Sequence, residues 1–177
     1  MELSDSQLIR ELQADAEAAL DELMRRYKRP VLNFCYRLLG NATDADDVAQ
    51  EVFVRVYQQR AKIDPDRLFT TWLFTVARNL CLDRLRYRRR HPTEPLDGVP
   101  DPAIEPKLDD LAQHIAAAIS QLPEDQRTAI VLAEYHDLSY AEIAGIMRCS
   151  AKSVESRLYR AKQFLREKLR GFLDSAA

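Results

Sequence analysis

Glycine is scarce, with four residues among 177. That is too few for a fold built on tight hairpins, whose turns lean on glycine's left-handed backbone freedom. No run approaches the roughly 18 apolar residues of a membrane span. The first residues also lack the basic-then-apolar order of a secretory signal, so a cytoplasmic location is expected. Cysteine is limited to Cys35, Cys81 and Cys149, an odd number at wide spacing, which supports neither a disulfide framework nor a CxxC zinc site. Each falls in an apolar helical pattern and is expected as a buried thiol, a redox role being the lesser alternative. His91, His114 and His136 are isolated, and HExxH, GxSxG and glycine-rich phosphate loops are missing. No catalytic residue, metal ligand or cofactor is therefore expected.

What is present is mostly helix-forming. Apolar residues make up 46% and charged residues 31%, and Leu, Ala, Arg, Glu and Gln dominate between the breaks. The net charge of −2 conceals three blocks. From Arg78 to His91 six arginines face the single acid Asp83, and from Arg148 to Arg170 eight basic residues face Glu155 and Glu167. Between them, residues 94–110 carry six acids against Lys107. Two basic surfaces separated by an acidic segment point to a polyanionic partner more directly than the total does.

The stretch from His91 to Pro106 holds five prolines and Gly98 with no apolar period, and reads as an extended linker. The expected architecture is all-α: a helical domain at 1–91, a Pro-rich acidic linker at 92–106 and a second helical domain at 107–177. Ser4 with Gln7 marks a helix start and Gly40-Asn41 a stop, while Pro30 between them predicts a kink or a break. Thr43 with Asp46 opens the next helix. There Ala45, Val48, Ala49, Val52, Phe53 and Val56 form one apolar stripe. Phe69, Trp72, Leu73, Val76, Ala77 and Leu80 repeat the spacing after a turn at Asp64-Pro65-Asp66. In the second half, Pro123 suits a first helical turn. Ser139 with Glu142 caps a short helix through Met147, and Ser150 caps a long one ending near Gly171.

The order of short helix, three-residue break at Arg148-Cys149-Ser150 and longer basic helix is that of a helix-turn-helix. Opposite the stripe of Val154, Leu158, Ala161, Leu165 and Leu169, the long helix carries Lys152, Ser156, Tyr159, Arg160 and Gln163, flanked by Ser153, Glu155 and Arg157. Short polar groups can reach base edges there while the cations hold phosphates. Arg78, Arg86 and Arg89 share a side of the earlier basic helix and can track a phosphate backbone. Trp72, Phe74 and Tyr87 are aromatics able to stack on unpaired bases, although Trp72 lies on the apolar stripe and suits the core. Asp44, Asp46 and Asp47 fit a helix N-terminus; Gln50 and Glu51 beside them are not explained that way.

These segments together resemble the sigma-70 family of bacterial RNA polymerase sigma factors, in its extracytoplasmic-function group. Asp44 through Phe53 is similar to region 2.2. Phe69-Thr70-Thr71-Trp72-Leu73 through Asp83-Arg84-Leu85-Arg86 is similar to regions 2.3 and 2.4. Leu122 through Arg127, followed by Leu138 through Ala144, is similar to region 4. The resemblance implies docking on the clamp helices of core RNA polymerase through Asp44, Asp47, Gln50 and Glu51. It assigns −10 promoter DNA to Arg78, Asn79, Arg84, Arg86, Arg88, Arg89 and Arg90 and the loop before them. The −35 element falls to Lys152, Ser153, Glu155, Ser156, Arg157, Tyr159 and Arg160, with this domain resting on the polymerase flap. The acidic linker would thread toward the active-site cleft, and an anti-sigma factor would hold the protein inactive, in some cases at the inner face of the membrane without direct insertion. Many members have an Arg-Gly-rich loop where this chain has Lys62 through Leu68, Gly-Thr where it has Lys152-Ser153, and a basic residue where it has Glu155.

A conventional helix-turn-helix regulator would account for residues 139–170 alone and would ordinarily need a dimerisation element, which the chain does not display. An adaptor would not need two arginine-rich helices.

Overall fold

A computed structural model describes residues 3–92 and 110–175. Among them every regular element is helical, as the patterning predicts. The chain forms two compact units, helices α1–α4 and helices α5–α8. Residues 93–109, which include most of the expected linker, lie outside the described residues.

In the first unit, α1 (Asp5–Gln13) starts with the predicted capping box. The Ser4 hydroxyl accepts from the Gln7 amide, and the Gln7 side chain accepts from the Ser4 amide at 2.8 Å. Its Leu8, Ile9 and Leu12 are buried as it packs on α2 (Glu17–Leu39). Helix α2 runs through Pro30 without a break and stops at Gly40, whose φ of +64° suits a residue without a Cβ. Helix α3 (Ala42–Gln58) starts slightly ahead of the Thr43 cap expected, and all six residues of its apolar stripe are buried. A 3-10 turn (Arg60–Lys62) and a loop lead to α4 (Phe69–Arg90). Edge-to-face pairs Tyr27–Phe69 and Phe34–Phe74, with centroids 5.5 and 5.3 Å apart, join α2 to α4.

The burial of α4 corrects one expectation. Phe69, Leu73 and Ala77 are buried as the stripe predicts, but Phe74 and Cys81 complete the buried set, while Trp72, Val76 and Leu80 are half-buried. Phe74 is 3% exposed against Phe34, so it is a core residue and offers no face to a base.

In the second unit, α5 (Asp110–Ser120), α6 (Glu124–Tyr135) and α7 (Tyr140–Met147) pack around α8 (Ala151–Ser175). Five consecutive residues of α6, Thr128 to Leu132, are buried. The one hydroxyl among them donates to the Glu124 carbonyl at 2.8 Å, so burial leaves no orphan. Ser139 and Glu142 form the second predicted capping box. Ser150 caps α8 by accepting from the Ser153 amide at 3.1 Å. Helix α8 continues to Ser175, beyond the end expected near Gly171. Between α7 and α8, Arg148 adopts the left-handed conformation at φ 52°, with Cys149 N bonded to Ala144 O at 3.0 Å. This is the Schellman geometry usually given to glycine. Cys149 thus lies in the turn and is only half-buried, unlike the fully buried Cys35 and Cys81.

Candidate functional site

Two surfaces carry the candidate residues, one in each unit. On the first, α3 and α4 enclose an open groove of about 540 Å³ lined by Asp47, Val48, Glu51, Leu80, Asp83, Arg84 and Tyr87. Its floor is apolar and its rim mostly acidic. The α3 carboxylates divide into two kinds. Asp44 has a side chain 17% exposed and accepts from Arg84 at 3.1 Å and from Arg88. Asp47 is 54% exposed, with Arg84 at 3.7 Å. Gln50 and Glu51 complete the outward strip, held by Asp46 at 2.6 Å and Arg55 at 2.7 Å, one helical turn away in each case. The four residues assigned to one partner on sequence therefore separate: three present themselves outward and Asp44 faces α4.

The arginines of α4 separate likewise. Arg84 and Arg88 reach back to α3, and Arg88 also donates to the Leu39 carbonyl at 3.0 Å, satisfying an α2 C-terminal acceptor. Arg86 pairs with Asp83 one turn away at 2.8 Å. Asn79, Arg89 and Arg90 are exposed, and Arg78 is half-buried. Tyr87 stays exposed beside them, its ring 4.5 Å from that of His91. Trp72 is half-buried and stacks on Phe69 at 6.2 Å. The outward set on this unit is thus an acidic strip on α3 and a cationic, aromatic end on α4.

On the second unit, α7 and α8 form the helix-turn-helix. Ile143, Ile146 and Met147 of α7 and Val154, Leu158 and Ala161 of α8 are buried, which turns Lys152, Glu155, Ser156, Tyr159 and Arg160 outward. Tyr159 is 66% exposed. Arg157 is drawn inward instead, bonding Asp125 of α6 at 3.1 Å and Cys149 Sγ at 2.9 Å. Ser153 is half-buried, with its hydroxyl 3.0 Å from that of Ser150. Lys162 and Glu134 add an ion pair at 2.8 Å between α8 and α6. Among the described residues, no three potential metal ligands cluster.

Sequence reasoning missed a third group, which lies at the loop before α4. Arg10, Gln13 and Asp15 each reach that loop across 45 to 56 residues. No local motif announces a contact of that range.

Comparison with known proteins fits this arrangement. Residues 23–91 match the model of Sigma-70 region 2, and residues 112–165 that of Sigma-70, region 4. The RNA polymerase sigma-H factor of Pseudomonas aeruginosa is 32% identical, the match covering 97% of each chain. The ECF RNA polymerase sigma factor SigW of Bacillus subtilis is 33% identical, over 96% of this chain and 99% of that one. The sigma factor RpoE of Bartonella quintana, solved with the anti-sigma factor NepR, superposes with a TM-score of 0.72 at 27% identity, covering 85% of this chain and 96% of its own. With both regions matched in order and relatives aligned from end to end, the chain belongs to the extracytoplasmic-function group of sigma-70 family RNA polymerase sigma factors.

Proposed function

We propose that this sigma factor, a non-enzymatic initiation factor by family, binds core RNA polymerase and directs it to promoters by reading two DNA elements with its two units. The observation that carries the assignment of surfaces is the division among the region 2 carboxylates. Asp47, Gln50 and Glu51 form an outward strip beside an apolar groove, while Asp44 is consumed by Arg84 and Arg88. An acidic rim over an apolar floor suits a basic helical partner such as the polymerase clamp. In this reading residues 1–91 bind polymerase and the −10 element, 92–106 connect, and 107–177 read the −35 element. Arg78, Asn79, Arg86, Arg89 and Arg90 face the −10 DNA. Lys152, Glu155, Ser156, Tyr159 and Arg160 face the −35 DNA. Asp44, Arg84, Arg88 and Arg157 support these faces from within.

Each unit alone gives weak binding. Joined on polymerase they act bivalently, so element spacing becomes part of promoter choice. By analogy with RpoE and NepR, an anti-sigma factor covers one or both faces in the resting cell. No helix among the described residues is long and apolar enough to cross a membrane. The test is run-off transcription with core polymerase on a promoter library, comparing the natural chain with Asp47→Ala/Gln50→Ala/Glu51→Ala. Discrete starts lost in the triple variant support the reading. Tight duplex binding without polymerase association or start-site selection would favour a conventional helix-turn-helix regulator.

A further inference from the structure

The loop between α3 and α4, residues 59–68, is built in two parts. Ile63 is buried at 2% exposure and anchors its first half. The second half is a tight turn in which Arg67 N bonds Asp64 O at 3.2 Å and Asp66 N bonds Asp64 Oδ1 at 3.0 Å. Asp then Pro at its first two positions is the chemistry such a turn prefers. The outer side presents Lys62, Arg67 and Leu68, with Leu68 62% exposed.

Its inner side is held from α1. Gln13 Nε2 donates to the carbonyls of Arg60 and Ile63 at 2.9 and 2.8 Å. Arg60 donates in turn to Asp15 Oδ1 at 2.6 and 3.1 Å, and its guanidinium lies over the Tyr57 ring. Arg10, one helical turn before Gln13, bonds Asp66 at 2.5 Å. Leu8, Ile9 and Leu12 of α1 are buried and the helix packs on α2, while Arg10 and Gln13 of the same helix reach this loop. Asp15 reaches Arg60 from a left-handed backbone, φ 63°. That conformation is costly for a residue with a Cβ, and aspartate tolerates it better than most. Helix α1 precedes the residues that match region 2, which begin at 23.

We propose that Gln13 and Asp15 are positioning residues that fix the conformation in which this loop meets the opened −10 strand, and so help set −10 base preference. The inference rests on the reading that the loop contacts −10 DNA. A ten-residue loop ordered before binding spends less entropy on capture and discriminates more sharply than one ordered by its ligand. Arg10 adds an electrostatic part by neutralising Asp66, a carboxylate on the path of a polyanion.

The test uses the full chain with core polymerase on templates whose −10 positions are randomised behind a fixed −35 element. Gln13→Ala and Asp15→Asn are expected to flatten base preference within the −10 element by about three- to tenfold, while core affinity and −35 preference stay at the level of the natural chain. A cooperative thermal transition verifies folding. Should Gln13→Ala fail it, Asp15→Asn, at a side chain 72% exposed, carries the same test. A −10 profile superimposable on that of the natural chain overturns the inference, and so does a uniform loss of starts across all −10 sequences. If the natural chain itself shows no −10-dependent starts, the underlying reading fails first, which is a separate result.

Discussion

Arg84 of α4 donates to Asp44 of α3 at 3.1 Å, and the same carboxylate also receives Arg88. One acid thus joins two successive turns of the arginine-rich helix to the helix that bears the acidic strip. Bonds to a charged, mostly shielded acceptor contribute more than exposed ion pairs do.

Asp44→Asn should therefore destabilise the first unit by about 1–2 kcal/mol, lowering its melting midpoint by about 5–10 °C. Asp47→Ala, at an exposed carboxylate, should leave the midpoint within a degree or two and weaken polymerase association instead. Thermal melts alongside pull-down on core polymerase separate the two. Equal effects of both variants on stability would refute the division.

The second unit predicts a parallel split between Arg157 and Arg160. Arg160 is exposed on the outer side of α8, and its loss should reduce the slope of log affinity against log salt by about 1 on −35 duplexes. Arg157→Ala should leave that slope unchanged. It removes the bonds to Asp125 and Cys149 Sγ and should lower the midpoint of the second unit. Titration of duplex binding at several salt concentrations decides between them.

Thiol chemistry should follow position. Cys81 is buried and its thiol is pushed well above the usual range, first by its hydrogen bond with Cys35 and then by burial. Native protein treated with a thiol-specific reagent near neutral pH should label Cys149 alone. Cys35 and Cys81 should follow only on unfolding, as peptide mapping would reveal. Early labelling of Cys35 or Cys81 would contradict the packing of α2 on α4.

Glu22 provides the acid-sensitive contact. Arg25 and then Arg26 bond its carboxylate at 2.7 Å and hold it at about 2, against an ordinary 4.5. A folded value below the unfolded one stabilises above pH 4.5 and is lost as pH falls toward 2. Glu22→Gln should be less stable than the natural chain at pH 7, with the gap closing across that window. A gap independent of pH would exclude the ion pairs as its source.

Much of this was legible in order along the chain. The six-residue stripe of α3, both capping boxes and the Gly40 stop are local signals, and each stands where periodicity and cap chemistry put it. What periodicity cannot supply is the partner of a face. The buried arc of α4 is rotated from the predicted stripe toward α2, so Phe74 sinks into the core against Phe34 while Trp72, on the predicted stripe, is only half-buried. Charge is ambiguous in the same way. Arg84, Arg88 and Arg157 have the chemistry of phosphate ligands, and only the fold shows them occupied by Asp44 and Asp125. Cys149 sits in a turn that an apolar pattern does not mark.

The bond between Asp15 and Arg60 spans 45 residues and couples two positions that would otherwise drift apart freely. A lineage that lost the acid would leave the arginine only its contacts with Tyr57, and glycine would then suit the left-handed corner better. Substitutions at 15 and 60 should therefore be inherited as a pair, and changes in −10 preference among descendants of this chain should be found on the same branches.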